Sequence, residues 1–101
     1  MIEVRWTDTA SDDLVHIHDF IAQDSPLVAR GVATRLADAV DVLSAFPESG
    51  RIVPERQEPA LRELIRPPYR IVYEIQGPVV FVLTIFHSAR RFPESLSEPA
   101  R

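Results

Sequence analysis

The chain contains no cysteine among its 101 residues, which excludes disulfide bonds, thiolate metal sites and cysteine nucleophiles. It also lacks long hydrophobic runs. The longest, residues 79–86, includes a threonine and is far shorter than the roughly 20 residues that a membrane-spanning helix needs. Residues 1–6 lack the basic start and apolar core of a signal peptide. We therefore expect a soluble cytoplasmic protein that makes no membrane contact and holds neither a metal nor a cofactor.

Lysine is absent as well, so all eleven basic residues are arginine. A high-GC genome explains this bias more simply than a need for the planar guanidinium group does. The net charge of −4 argues against a surface built throughout to bind phosphate backbones. However, residues 1–50 hold three arginines against nine acidic residues, whereas residues 51–91 hold seven against four. The second part of the chain is therefore locally basic.

The remaining composition is that of a globular protein, with 46% hydrophobic and 26% charged residues. A chain of this length supports one hydrophobic core, because two cores would each be too small to be stable. We expect one domain over residues 1–92. A short tail over residues 93–101, rich in proline, serine and glutamate, is expected to be flexible.

Hydrophobic periodicity predicts one strand and two helices in the first half of the chain. Apolar and charged residues alternate over residues 2–6, which predicts a strand, and Thr7 or Thr9 can cap the helix that follows. A Ser-Pro pair at residues 25–26 begins a second helix, which the pattern extends to Phe46, where another proline follows. The short connection between the two helices predicts a helical hairpin.

The second half predicts a polar surface loop over residues 48–59 and then three strands, over residues 61–65, 70–75 and 79–86. A turn at Gly77 joins the last two strands. Both faces of the last strand are apolar, so it should be an inner strand whose second face awaits a partner. The predicted class is α+β, in the order β-α-α-β-β-β, with a two-helix hairpin on one face of a mostly antiparallel four-stranded sheet.

Short motifs on successive elements resemble the RelE/ParE toxin superfamily over residues 2–92. They are Trp6, Thr7, Ala10, Asp13, Leu14, Ile17, Phe20 and Ile21; Phe46-Pro47 and Gly50-Arg51; Leu61-Arg62-Glu63-Leu64; Tyr69-Arg70-Ile71-Val72-Tyr73; and His87 with Arg90-Arg91. The resemblance implies a small bacterial toxin that is neutralised by an antitoxin encoded beside it. It further implies that the C-terminal segment of the antitoxin lies along the toxin surface as a helix or strand.

The resemblance leaves the target open, since one fold serves different functions. ParE-like members poison DNA gyrase without known catalytic residues, whereas RelE-like members cut messenger RNA in the ribosomal A site. The RNase-like relatives commonly have tyrosine after the residue that matches His87, and this chain has Ser88. They are also strongly basic, unlike this acidic chain. We therefore favour the ParE-like interpretation, with a RelE-like RNase or a decayed toxin that only binds its antitoxin as alternatives.

If the chain is an RNase, it is a metal-independent one. Such an enzyme needs a base or cation near the 2′-hydroxyl, a hydrogen-bond donor to the phosphate and an acid for the leaving oxygen, and a small set of residues could supply them. That set is Arg70, His87, Arg90 and Glu55. A simpler interpretation has Arg70 and His87 at strand ends, bonded to backbone groups or to carboxylates such as Glu63 or Glu74.

Six arginines of the basic part could form one positive face that binds the antitoxin or the target by charge complementarity. They are Arg51, Arg62, Arg66, Arg70, Arg90 and Arg91. Tyr69 and Tyr73 could stack on bases, but two residues at i and i+4 of a strand share one face, which favours packing against the helices. His16 and His18 point about 200° apart on a helix, which disfavours a metal site.

Overall fold

The computed structural model of the protein describes residues 2–96. Its helices are α1 (Asp8–Ala22) and α2 (Pro26–Asp41), and a short 3-10 turn, Val42–Ser44, follows α2. Its strands are β1 (Glu3–Trp6), β2 (Arg51–Ile52), β3 (Leu61–Arg66), β4 (Tyr69–Gln76) and β5 (Val79–His87). No helix in this part of the chain is long and apolar enough to cross a membrane.

The strands form one sheet in the order β1-β5-β4-β3-β2, in which β1 runs parallel to β5 and all other neighbours are antiparallel. The predicted α+β class, the helical hairpin on one face and the mostly antiparallel sheet are confirmed. A two-residue turn joins β4 to β5, as predicted, with Gly77 at a φ of 58°, where glycine is unstrained. β5 is an inner strand, also as predicted.

The predicted strand count is wrong, because the sheet has five strands rather than four. The additional strand, β2, lies within the segment that was expected to be an irregular loop, and it pairs with β3 at Glu63 and Arg62. Two residues are too few to show a periodic pattern, so tertiary contacts define this strand. Arg51 of β2 donates to the buried carboxylate of Glu63, and the Gly50 N–H before it donates to the Tyr73 hydroxyl.

Side-chain caps fix where both helices begin. The Thr7 hydroxyl accepts from the N–H of Ala10 at 3.1 Å and donates to the carbonyl of Val82 at 2.9 Å, so it joins the start of α1 to β5. Of the two expected caps, Thr7 is the one used, and Thr9 lies in the first helical turn. Ser25 caps α2, and Pro26 occupies its first turn, as predicted.

Helix α2 ends at Asp41, earlier than the predicted end at Phe46. The Ser44 hydroxyl donates to the carbonyl of Asp41, which takes up one of the carbonyls left free at the helix end. The Ser44 carbonyl in turn accepts from the N–H of Ile2, which leads into β1. Contacts with the first strand therefore help to define the end of this helix.

The sheet carries a hydrophobic cluster on each face. On the helix side, Leu36, Val40 and Leu43 pack against the sheet residues Leu64, Ile71, Tyr73, Val80, Val82 and Ile85. On the other side, Val53 packs against Leu61, Val72, Phe81, Leu83 and Phe86, with Phe92 and Leu96 partly buried against them. The second face, which was expected to await a partner, is thus covered by residues of the chain itself. Within the predicted tail, Leu96 is partly buried against this cluster, and residues 97–101 lie outside the described residues.

Candidate functional site

Four charged residues form a network on the face of the sheet opposite the helices. Glu63 has a fully buried side chain, and its carboxylate accepts from Arg51 Nε at 2.7 Å and from Arg70 Nε at 2.6 Å. The two terminal nitrogens of Arg70 donate to the two oxygens of Glu55 at 2.8 and 2.9 Å. We call Arg51, Glu55, Glu63 and Arg70 the arginine–glutamate network. It contains two cations and two anions, so its charges balance.

Aromatic rings cover the guanidinium group of Arg70. Its central carbon lies 5.2 Å from the centroid of the Phe86 ring and 5.3 Å from that of Phe92. The two rings meet edge to face with centroids 5.9 Å apart. Only 10% of the Arg70 side chain is exposed, so both the edges and a face of its guanidinium group are occupied.

Arg56 contacts the C-terminal segment and holds it against this network. Its guanidinium lies 5.5 Å from the centroid of the Phe92 ring and donates to the carbonyls of Pro93 and Glu94 at 3.3 and 2.8 Å. Sequence reasoning did not single out Arg56. No local signal identifies it, because its partners lie more than 35 residues further along the chain.

The ion pair between Glu55 and Arg70 shifts the pKa of both groups in the direction expected of paired charges. Hydrogen bonds from Arg70 lower the pKa of Glu55 to about 2, although partial burial opposes this change. Hydrogen bonds to Glu55 are also the largest cause of the raised pKa of Arg70. Both groups are therefore charged at neutral pH, and neither has the pKa near 7 that favours a general acid or base.

The residues that were considered for RNA cleavage are distributed between two open hollows on the protein surface. The first, of about 510 Å³, is lined by Glu55, Arg70, Arg90 and Arg91, together with the C-terminal segment. The second, of about 470 Å³, lies between α1 and the sheet and is lined by His87 and again by Arg90. The structure thus brings together three of the four residues, and it places His87 in a different hollow from Arg70 and Glu55.

The six arginines of the expected basic face lie on two sides of the sheet. Arg62 and Arg66 stand directly opposite Tyr73 and Tyr69 across the β3–β4 pair, and directly paired residues share a face. Their face is the helix side, because Tyr73 belongs to the helix-side cluster. Arg62 and Arg66 donate to nearby backbone carbonyls. The arginine–glutamate network occupies the other side.

Both tyrosines of β4 pack against the helix-side cluster, which confirms the expected packing. Tyr73 is fully buried, and its hydroxyl donates to the Pro47 carbonyl at 2.7 Å and accepts from the Gly50 N–H at 2.9 Å. Burial raises the pKa of Tyr73, which keeps its hydroxyl neutral. Tyr69 is half-buried and meets the ring of His87 edge to face at 5.7 Å.

Two of the three histidines, His18 and His87, have local partners. His87 Nδ1 accepts from the N–H of Ala89 at 3.0 Å, which leaves the ring proton of the neutral form on Nε2. His18 Nδ1 lies 3.0 Å from a carboxylate oxygen of Asp19, at the exposed surface of α1. Within residues 2–96, no three side chains of the types that bind metals come together.

Comparison with known proteins relates this chain, with its helical hairpin on a mixed sheet, to the toxins of toxin–antitoxin pairs. The model of the ParE toxin family, described as the ParE toxin of the type II toxin-antitoxin system parDE, matches residues 4–92. Since this match spans nearly the whole chain, the chain belongs to the ParE toxin family and is the toxin of a type II toxin–antitoxin system. Its partner is a cognate antitoxin.

Two relatives agree with this assignment over nearly their full lengths. Toxin RelE2 of Caulobacter vibrioides is 43% identical over 91 residues, which cover 89% of this chain and 99% of that toxin. The putative toxin Y4kP of Sinorhizobium fredii is 38% identical over 95 residues, which cover 92% of this chain and 95% of that protein. The resemblance to the RelE/ParE superfamily is thereby confirmed.

Two solved structures share the fold. A chain from the chromosomal ParDE toxin–antitoxin system of P. aeruginosa superposes with a TM-score of 0.71 over 86% of this chain and 96% of its own, at 24% identity. A chain from the RelBE2 toxin–antitoxin complex of Mycobacterium tuberculosis gives a TM-score of 0.57 over 88% and 93%, at 25% identity. The fold therefore occurs in systems that carry the ParE name and in systems that carry the RelE name.

Proposed function

We propose that this toxin acts in the cytoplasm by binding DNA gyrase through protein–protein contacts, without catalysis, and that the cognate antitoxin blocks those contacts. The observation that carries the proposal is that all three guanidinium nitrogens of Arg70 already donate to carboxylates of the chain. Its Nε is bonded to Glu63, and both terminal nitrogens are bonded to Glu55. An RNA phosphate would have to displace a carboxylate that already holds the guanidinium group through two parallel hydrogen bonds.

The positions of the other considered residues also argue against RNA cleavage. Metal-free cleavage needs a base near the 2′-hydroxyl, a donor for the phosphate and an acid for the leaving oxygen, all within hydrogen-bond reach of one nucleotide. Here His87 lies in the second hollow, and the pKa of Glu55 is about 2. His87 and Glu55 therefore provide no proton donor beside Arg70 at neutral pH.

The target contacts are assigned to the basic segment that follows β5. Arg90 and Arg91 are both exposed, and their guanidinium groups have no hydrogen bond or ion pair within residues 2–96. Exposed and unpaired arginines keep their full donor capacity for a partner, and arginine is enriched where protein interfaces bind most strongly. This segment therefore offers a contact surface that the arginine–glutamate network does not.

A DNA supercoiling assay with purified gyrase tests the proposal. We expect the wild-type chain to inhibit supercoiling, and we expect Arg90→Ala/Arg91→Ala to lose at least tenfold in potency, the usual effect of removing interface anchors. The matched control is Arg30→Ala/Arg35→Ala, which removes two exposed arginines from α2 and should retain the wild-type potency. Absence of inhibition by the wild-type chain at micromolar concentration would exclude gyrase as the target.

A ribosome-dependent mRNA endonuclease is the second candidate function. It is favoured by the name of the 43% identical relative, Toxin RelE2, and by the shared fold of the RelBE2 toxin–antitoxin complex. In that case Arg70, His87 and Arg90, with Glu55, would form the catalytic set. Primer extension on cellular messenger RNA after induction tests this function, since A-site cuts should then appear within minutes. A toxin that has lost its activity would show neither inhibition of supercoiling nor A-site cuts, and its induction without antitoxin would leave growth unimpaired.

A further inference from the structure

The basic segment that follows β5 and supplies Arg90 and Arg91 is fixed at its start by a tight turn. The N–H of Ser88 donates to the Pro68 carbonyl at 2.7 Å, and the N–H of Arg90 donates to the His87 carbonyl at 2.9 Å. Within residues 2–96, no hydrogen bond holds the backbone N–H of Arg91. The turn alone therefore does not fix the second arginine.

The Arg56 side chain provides a second anchor, on the far side of the two arginines. Its guanidinium group lies 5.5 Å from the centroid of the Phe92 ring and donates to the carbonyls of Pro93 and Glu94 at 3.3 and 2.8 Å. The Phe92 ring is itself partly buried against the hydrophobic cluster on the face opposite the helices. Arg56 therefore holds three consecutive residues, and the two arginines of the basic segment span the gap between this anchor and the turn.

Arg56 is itself held in place by its neighbours in the loop after β2. Its own N–H donates to the Val53 carbonyl at 3.2 Å, and the N–H of Gln57 donates to the same carbonyl at 2.8 Å. Val53 is fully buried, and the residue before Arg56, Glu55, is bonded to Arg70 by two hydrogen bonds. The anchor of the basic segment is therefore tied directly to the sheet.

Arg56 differs from the two arginines that it helps to place. Its side chain is half-buried and its guanidinium group is engaged within the chain, whereas Arg90 and Arg91 are exposed and unpaired within the described residues. A flexible segment must be ordered when it binds, and fixing the backbone of one residue corresponds to roughly tenfold in a binding constant. A segment that is ordered in advance avoids this cost.

We propose that Arg56 is a positioning residue for the target contact. By binding the Phe92 ring and the two carbonyls after it, Arg56 holds the chain so that Arg90 and Arg91 meet the target in one arrangement. This inference rests on the proposed function, which assigns the target contact to these two arginines. Removal of Arg56 should therefore weaken the toxin, although Arg56 itself does not touch the target.

Backbone 15N relaxation of the full chain tests the ordering of the segment without any target. In the wild-type chain, residues 90–92 should have order parameters of about 0.85, like those of β5, and in Arg56→Ala these values should fall below about 0.6. The matched control is Arg35→Ala, because the Arg35 guanidinium group also donates to a carbonyl that is distant in the chain, that of Pro67, at 3.4 Å. Unchanged order parameters in Arg56→Ala would overturn the proposal.

Growth inhibition after graded induction of the chain alone tests the effect on toxicity, whichever target the toxin has. At matched protein levels, Arg56→Ala should be at least tenfold less potent than the wild type, and Arg35→Ala should be equally potent. Arg56→Lys keeps a cation beside the Phe92 ring and should recover part of the loss. Phe92→Leu keeps an apolar side chain against the cluster but removes the ring, so it should lose potency as well. Circular dichroism checks that each variant folds.

Combined variants separate positioning from general stability. Adding Arg56→Ala to Arg90→Ala/Arg91→Ala should cause no further loss of potency, because a positioning residue acts only through the residues that it places. Urea unfolding, in contrast, should show the same effect of Arg56→Ala with or without the two arginines. An additive loss of potency in the triple variant, or wild-type potency of Arg56→Ala, would overturn the proposal. If the wild-type chain inhibits growth but not supercoiling, the gyrase target fails, and these comparisons still decide the role of Arg56.

Discussion

Glu55 and Arg70 are joined by two parallel hydrogen bonds of 2.8 and 2.9 Å, although 15 residues separate them in the chain. The pair links the loop after β2 to the start of β4, directly above the buried carboxylate of Glu63. Bidentate arginine–carboxylate pairs are among the stronger hydrogen-bonded contacts in proteins. Arg70 therefore has a structural role that does not depend on any substrate, and this role has measurable consequences.

The Glu55–Arg70 pair should make stability depend on pH. The pKa of Glu55 is lowered from 4.5 to about 2 in the folded chain, so its contribution is complete above pH 4.5 and is lost as the pH falls toward 2. Because 42% of the Glu55 side chain is exposed, screening limits the effect, and Glu55→Gln should cost about 1 kcal/mol at pH 7. Urea unfolding at several pH values should show this difference shrinking below pH 4.5. The control Glu58→Gln, in the same loop, should show no such trend, and a difference that stays constant with pH would contradict the account.

Removing the buried carboxylate of Glu63 should lower the free energy of unfolding more than removing the charge of Glu55 does. Glu63→Ala leaves the largely buried Arg70 without its Nε partner, which should lower the free energy of unfolding by about 3 kcal/mol. In Glu63→Leu/Arg70→Met, both buried charges are replaced by apolar groups, so the double variant should be less destabilised than Glu63→Ala. Chemical denaturation at pH 7 measures both. A double variant at least as unstable as the single one would show that the network is not governed by the cost of an unpaired buried charge.

Two glycines should respond to the same substitution with opposite signs. A Cβ at Gly50 would lie 2.5 Å from the Glu63 carbonyl oxygen and 2.7 Å from the Tyr73 hydroxyl, so Gly50→Ala should cost about 2 kcal/mol or more. A Cβ at Gly31, in α2, would meet no atom within 4 Å, and alanine favours the helix. Gly31→Ala should therefore stabilise the chain by about 0.5–1 kcal/mol. Thermal unfolding of both variants provides the measurement, and shifts of the same sign would disagree with the described packing.

The Tyr73 hydroxyl should contribute more to the free energy of unfolding than the Tyr69 hydroxyl does. Tyr73→Phe leaves the Pro47 carbonyl and the Gly50 N–H without their partner in a buried site, which should cost about 1–3 kcal/mol. The Tyr69 hydroxyl has no hydrogen-bond partner within the described residues, so Tyr69→Phe should be nearly neutral. Comparing the two variants by urea unfolding isolates the hydroxyl contribution. Similar losses for both would indicate that the aromatic packing, and not these hydrogen bonds, was disturbed.

The sequence predicted most of the fold because the main elements have strong local signals. Thr7, Ser25 and Pro26 mark the helix starts, and alternating apolar residues mark the strands. Strand β2 and the early end of α2 could not be predicted in this way. Both depend on hydrogen bonds to residues that are distant in the chain, such as that from Arg51 to Glu63.

The site was predictable only as a set of residue types. The sequence identified Arg70, Glu55 and His87 as chemically capable groups, and it suggested Glu63 as a partner of Arg70. It could not show that two carboxylates share one guanidinium group, or that His87 faces a different hollow. Arg56 was missed for the same reason: its role depends on which segments the fold brings together, and local periodicity does not encode that.

We propose that this toxin acts on DNA gyrase and not on messenger RNA. The most direct test is a short pulse of expression of this chain alone in bacteria, with a DNA-damage reporter and the rate of translation followed over the first minutes. If gyrase is the target, we expect early induction of the DNA-damage response and filamentation while translation continues. Immediate arrest of translation without that response would contradict the proposal, and Arg70 and His87 would then be the first residues to mutate.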